Sequence, residues 1–309
     1  MYKIMTAGPT QVRENVRMAR SLETTNPDLD VAFCEFYKET CDLLQELLHS
    51  SGTAYILGGE GILGLEAACA SLTEPGDRVL VLDNGIFGKG FADFAKMYGG
   101  EPVLFTSDYR KPIDAAELRA FLEKDSDFKY ATVVHCDTPS GVINDVSVIC
   151  PMLAEFGILS VVDSVAGMFG EYVNVDESQI DILCGGSQKA LSAPAGLTML
   201  WVSDKAMAAM ENRKTPIAAF YANILTFKTY YEDKWFPYTM PISDINGLRV
   251  AVDNVKAEPD IVERHAKIAA ATRQAVRKAG LSLYLKDGYA NTVTVIEVPD
   301  GLTDEQILS

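Results

Sequence analysis

The sequence is poor in the residues that build metal centres and disulfide frameworks. It has only three histidines, His49, His135 and His265, far apart along the chain. None of the six cysteines (Cys34, Cys41, Cys69, Cys136, Cys150, Cys184) belongs to a C-x-x-C pair. That spacing argues against a zinc site, and no metal is expected. Most of these cysteines sit in apolar segments and read as small core residues suited to a reducing compartment. No apolar run approaches the ~20 residues that cross a bilayer. The N-terminal stretch MYKIMTAGPTQVRENV lacks the apolar centre of a signal peptide. A soluble cytoplasmic protein without a membrane partner is the expectation. Basic residues are outnumbered 27 to 43, for a formal charge of −16, which disfavours a nucleic-acid binder. Internal repeats and low-complexity segments are also missing.

What remains is an ordinary globular composition. The 309 residues are 48% hydrophobic and 23% charged, enough for one large domain and a smaller one. From about residue 55 to 205, apolar runs alternate with amphipathic stretches. Tyr55–Leu57, Arg78–Asp83, Pro102–Phe105, Tyr130–His135, Ile158–Asp163, Ile180–Cys184 and Leu197–Val202 read as strands. Helices are predicted over Leu63–Leu72, Phe87–Tyr98, Ala115–Lys124 and Val146–Phe156. Strands apolar on both faces and joined by helices imply an α/β fold with a mostly parallel sheet. Leu197–Val202 follows its neighbour without room for a crossover helix, so it is expected to run antiparallel. Beyond residue 240 come helices over Asp244–Lys256 and Asp260–Ala279. Two alternating segments follow, Leu281–Leu285 and Thr292–Val298, and predict a strand pair in a small α+β unit.

In a parallel α/β sheet, ligands bind beyond the carboxyl ends of the strands. The polar segments there are Gly58–Ile62, Asn84–Gly88, Asp137–Gly141, Asp163-Ser164 and Gly185–Lys189. Glycines ahead of a helix leave N–H groups free to hold a phosphate, although glycines also make ordinary turns. The segment fits neither a P-loop nor G-x-G-x-x-G, which argues against a nucleotide-binding dehydrogenase. Asp163 ends an apolar strand. A lone aspartate there is usually a helix cap, but it can also face a protonated ring nitrogen. Most lysines are solvated surface groups. Lys189, however, stands in GGSQKALSAPAG, a run of small residues with no other charge. Crowding of that kind favours the neutral amine that forms Schiff bases.

Asp163-Ser164-Val165-Ala166, then Gly186-Ser187-Gln188-Lys189-Ala190-Leu191 and Ala193-Pro194-Ala195-Gly196, together resemble the class V aminotransferases of pyridoxal 5′-phosphate (PLP) fold type I. The alanine–glyoxylate and serine–pyruvate group is the nearest in pattern. The resemblance runs from Ala7-Gly8-Pro9-Thr10 through Gly61, Glu66-Ala67-Ala68, Pro75-Gly76-Asp77 and Asn84–Gly88 to Thr239-Met240-Pro241.

It implies the following. The fold is a PLP-binding large domain over residues 18–257, with an N-terminal arm over 1–17 and an incomplete small C-terminal domain over 258–309. Lys189 carries the cofactor and acts as general base. Asp163 keeps the pyridine nitrogen protonated, Phe87 stacks on the ring, and Thr138 bonds its phenolic oxygen. Glu60, Gly61, Ile62 and Gln188 surround the phosphate, and Thr239 reaches the phosphate of a second subunit in a homodimer. The substrates are a small amino acid of alanine or serine type and a 2-oxo acid such as glyoxylate or pyruvate.

Three departures stand out. Relatives tend to carry a small hydroxyl residue at the position of Glu60, and a carboxylate beside a phosphate is repulsive; its side chain is therefore expected to turn away. Phe236 stands where relatives often place a phosphate-binding tyrosine. No arginine occupies the place of the one that grips the substrate carboxylate, and the family's small domain continues further. Two rivals follow: a lyase of the cysteine desulfurase kind, disfavoured because Phe87 replaces the usual stacking histidine, and a PLP-binding protein without turnover.

Overall fold

The structure, a computed structural model, describes residues 3–308. It opens with α1 (Glu14–Ala19) and α2 (Val31–Leu47). The alternating region runs β1 (Thr53–Gly58), α3 (Gly61–Leu72), β2 (Arg78–Asp83), α4 (Ile86–Met97), β3 (Glu101–Thr106), α5 (Ala115–Leu122), β4 (Tyr130–Val134), α6 (Val146–Glu155), β5 (Leu159–Asp163), β6 (Ile182–Gly186) and β7 (Leu197–Val202). After α7 (Asp204–Glu211) come a 3-10 turn (Ile224–Phe227) and α8 (Tyr230–Asp233). The chain ends with α9 (Ile242–Lys256), α10 (Ile261–Lys278) and α11 (Asp304–Leu308).

The seven strands form one sheet in the order β1-β7-β6-β5-β4-β2-β3. β2, β3, β4, β5 and β6 pair in parallel. β7 is antiparallel to both β6 and β1, as its short connection requires. Helices cover both faces, so the central strands are buried along their whole length: every residue of β4, β6 and β7 is buried. That double burial is why these segments read as continuous apolar runs. α3 is unusual among the helices. It is apolar almost all round, and Leu65, Ala67, Ala68, Cys69, Ala70 and Leu72 are buried. It packs on β6 and β7, close behind the mouth of the sheet.

α1 lies along α9, with Val16 inserted between them and Arg20 paired to Asp244 at 2.5 Å. The segment before α1 reaches the mouth of the sheet, where Thr10 bonds Gln188 and Lys189. The strand pair expected at the C-terminal end of the chain is not formed. Leu283 and Ile296 make a single antiparallel bridge, with Tyr284 N–H donating to Val295 O and Glu297 N–H to Ser282 O. An alternating pair without a third strand is marginal. This one instead anchors itself to the large body, where Ala290 N–H donates to Gly141 O and the Asn291 amide donates to Glu171 at 2.9 Å. Among the described residues no helix is long and apolar enough to cross a membrane.

Candidate active site

The parallel strands bring their carboxyl ends to one side of the sheet, and a cleft opens there. Its walls are Glu60, Ile62, Leu65, Phe87, Cys136, Thr138, Asp163, Val165, Ala166 and Lys189. Six of the nine residues marked in the sequence therefore line it directly. Gly61 and Gln188 adjoin it: a Cβ on Gly61 would stand 2.8 Å from Val165 Cγ2, and the Gln188 amide bonds Glu60. Thr239 does not line it; the Thr239 hydroxyl donates to Asp28 at 2.8 Å.

Asp163 is the last residue of β5 and is 5% exposed. Its Oδ1 accepts the Val165 N–H at 2.9 Å. Burial pushes its pKa up to about 7, against the pull of that N–H; Asp137 adds to the rise, Lys189 opposes it, and Glu60 adds a little more. The backbone around it is fixed on two sides. His135 N–H donates to Asp163 O at 2.8 Å, and Ser164 N–H donates to Cys184 O at 2.9 Å. The Ser164 hydroxyl pairs with His135 Nδ1 at 2.9 Å, and burial drives that imidazole down to about 4, so it is neutral.

Lys189 sits in the loop between β6 and β7, which is tied at several points. Ser187 N–H donates to Leu197 O at 3.1 Å, Ala193 N–H to Ser187 O at 3.0 Å, and the Ser187 hydroxyl to Pro194 O at 2.6 Å. A second restraint comes from the other end of the chain. Thr10 N–H donates to Gln188 O at 2.9 Å, and the Thr10 hydroxyl to Lys189 O at 2.7 Å. This clamp has no sequence signal beyond the Ala7–Thr10 match, because its partners lie 178 and 179 residues apart. Gly8 lies over the lysine itself: a Cβ there would come within 2.6 Å of both Cε and Nζ. Gly8→Ala should therefore displace the amine without unfolding the chain. The rate of aldehyde capture, followed by absorbance after mixing with pyridoxal, should fall roughly 10- to 100-fold. An unchanged rate would show that Gly8 does not set the lysine's position.

Phe87 is in the first turn of α4, 38% exposed, and lines the cleft. Thr138 follows β4, next to the buried Asp137. Asp137 Oδ2 takes the Ser140 hydroxyl at 2.6 Å, and its buried Oδ1 has no partner.

Glu60 corrects the expectation that its side chain turns away. It is the N-cap of α3, and its Oε2 accepts the Ile62 N–H at 2.8 Å. Its Oε1 accepts from Gln188 Nε2 at 3.3 Å. The reason is general: the first N–H groups of a helix are unsatisfied and attract the nearest anion. In this chain the nearest anion is Glu60's own carboxylate. The remaining cradle donors are partly used as well, since Gly59 N–H donates to Gly196 O at 2.8 Å.

A buried acid, a lysine and an aromatic ring lining one cleft, beyond the carboxyl ends of a mostly parallel sheet, accord with a fold type I PLP enzyme. The aminotransferase class-V family model matches residues 26–297, and the chain belongs to that family of PLP-dependent transaminases, which move amino groups between amino acids and 2-oxo acids. It is similar to the pyridoxamine–pyruvate transaminase of Mesorhizobium japonicum, at 37% identity over 98% of this chain and 78% of the relative. Among solved structures it resembles the ureidoglycine–glyoxylate aminotransferase of Bacillus subtilis, at a TM-score of 0.95 and 29% identity, over 99% of this chain and 80% of that one. It also resembles the pyridoxamine–pyruvate aminotransferase of Mesorhizobium loti, at a TM-score of 0.93 and 34% identity, over 98% of this chain and 79% of that one.

Proposed function

We propose that this cleft holds the ring of the family's cofactor, pyridoxal 5′-phosphate, or of a close form of it, and transfers amino groups from a small amino donor to a small 2-oxo acid. The observation that carries the reading is the meeting of Asp163 and Lys189 in one cleft that Phe87 also lines. A buried carboxyl with a single N–H partner suits a ring nitrogen. When bound, the protonated ring supplies an electron sink for the bond that breaks at the substrate.

The chain's own residues do the rest. Asp163 would hold the proton on the ring nitrogen. Lys189 would hold the ring covalently and, when free of it, would serve as the base for the substrate's Cα proton. Phe87 would pack on the ring and Thr138 would bond its phenolic oxygen. Glu60, Gly61, Ile62 and Gln188 border the side where the family holds the phosphate. With Glu60 in its present place, its carboxylate takes the Ile62 N–H that a phosphate dianion there would use.

The names of the three relatives above share one element, an acceptor that is pyruvate or glyoxylate. This supports a small 2-oxo acid as the acceptor here, with a donor of alanine or serine type. We assign residues 1–17 to an arm, 18–257 to the large domain and 258–309 to a smaller one. A second copy of the chain is the proposed partner, reached through Thr239. The exposed Phe220, Tyr221 and Trp235 on the same stretch support a covered surface. All six cysteines are free and buried, which accords with the cytoplasm.

The test is a donor screen on the full chain, with pyridoxal or its phosphate supplied, against pyruvate and glyoxylate, alongside sedimentation. Expected are a dimer and parallel-line ping-pong kinetics. Failure of every donor with both acceptors would overturn the transfer reading.

A further inference from the structure

Three groups near the cleft are negative or electron-rich, and only one is positive. Asp163, Asp137 and Glu60 stand against Lys189, and the charges of Asp137 and Glu60 both act on Asp163. The side of the cleft at the start of α3 is the one where a phosphate would need donors. There two donors are already engaged by Glu60: Ile62 N–H goes to Glu60 Oε2 at 2.8 Å, and one Gln188 Nε2–H to Glu60 Oε1 at 3.3 Å. Acceptors there stand open as well. Gln188 is only 6% exposed, and its Oε1 is buried without any partner. The remaining lone pairs of the Glu60 carboxylate are also free to accept.

A phosphate dianion accepts hydrogen bonds and cannot donate them. A primary alcohol carries no charge and donates one. These two groups distinguish the phosphorylated from the unphosphorylated forms of vitamin B6, at the 5′ arm of the ring. Pinned at its nitrogen by Asp163 and at its 4′ carbon by Lys189, the ring has its 3-hydroxyl on one edge and its 5′ arm on the other. Thr138 serves the first edge, which leaves Glu60 and Gln188 for the second.

We propose that this cleft selects the B6 ring without its phosphate, with the Glu60 carboxylate, latched by Gln188 over the N-terminus of α3, excluding the dianion and accepting the 5′-hydroxyl in its stead. The inference rests on the ring-site reading given above, and it names Glu60 as the residue that sets specificity, with Gln188 as its positioning residue. Adding a second anion beside Glu60 would force one of the two off the helix end, because like charges at contact distance destabilise both.

The test is binding, read apart from turnover. The full chain is titrated with pyridoxal and with pyridoxal 5′-phosphate. The adduct that each aldehyde forms with the Lys189 amine, with loss of one water, is followed by absorbance. It is then trapped with borohydride and located by peptide mass. Wild type is expected to bind pyridoxal more tightly than the phosphate ester by on the order of a hundredfold. Glu60→Thr should reverse that order, and Glu60→Gln should narrow it. Gln188→Leu, which frees the carboxylate, should narrow it as well, and thermal melts identify any variant that fails to fold. Tighter binding of the phosphate ester by wild type, or an unchanged preference in a folded Glu60→Thr, would overturn the proposal while leaving the ring site intact. Absence of any adduct at position 189 with either aldehyde would instead bring down the ring-site reading itself, and this inference with it.

Discussion

Lys189→Ala is expected to abolish covalent capture of a B6 aldehyde and to cut amino transfer by about 10⁴-fold or more. The same nitrogen serves as anchor and as proton carrier, so both functions go together. Lys189→Arg separates charge from chemistry. A guanidinium keeps the positive charge opposite Asp163 but stays protonated, so it neither condenses with an aldehyde nor takes a proton. It should be as inactive as alanine. The readout is the visible absorbance of the aldehyde-treated protein, together with a transfer assay. A retained band, or an Arg variant with appreciable turnover, would remove Lys189 from the reaction.

Asp163→Asn should leave the fold and the adduct largely in place and lower turnover on the order of 10³-fold. An amide cannot hold a proton on the ring nitrogen, so the electron sink is weakened. The substitution has a second effect, on the ligand-free protein. The carboxyl titrates near 7 in the fold, against 3.8 when free, because burial opposes its charge. Between those values the native state holds a proton that the unfolded chain has released. Stability should therefore fall as pH rises from about 4 to about 7, by on the order of 4 kcal/mol. The asparagine variant should lack that slope. Denaturant midpoints measured across pH 4–8 (roughly the span between the free and buried values) give the comparison. Parallel profiles for the two proteins would contradict the buried acid.

Much of this was legible in the residue order, for identifiable reasons. Arg78–Asp83 and Leu197–Val202 are recognisable as strands because helices cover both of their faces, leaving no polar alternation. Asp163 and Lys189 stand out through the motifs around them, Asp163-Ser164-Val165-Ala166 and Gly186-Ser187-Gln188-Lys189, since a lone aspartate at a strand end is usually a cap and most lysines are solvated. The structure brings both into one cleft. Other features were illegible for equally physical reasons. The clamp from Thr10 to Gln188 and Lys189 joins residues far apart in the chain, and no periodicity records it. The orientation of Glu60 depends on where the helix begins, since only a carboxylate at the cap position can bend back to Ile62 N–H. Leu281–Leu285 and Thr292–Val298 carry the alternation of strands but lack a neighbour to complete a ladder.

The reversal of β7 bears on the electrical surroundings of the lysine. A parallel strand must be followed by a crossover, usually a helix, whose first turn is electropositive and faces the ligand. Because β7 runs back against β6, residues 187–196 return directly and carry no helix. No helix start from this return therefore faces Lys189. An insertion lengthening the return into a helix would replace a loop tied to Leu197 and Pro194 with an electropositive first turn beside the cleft.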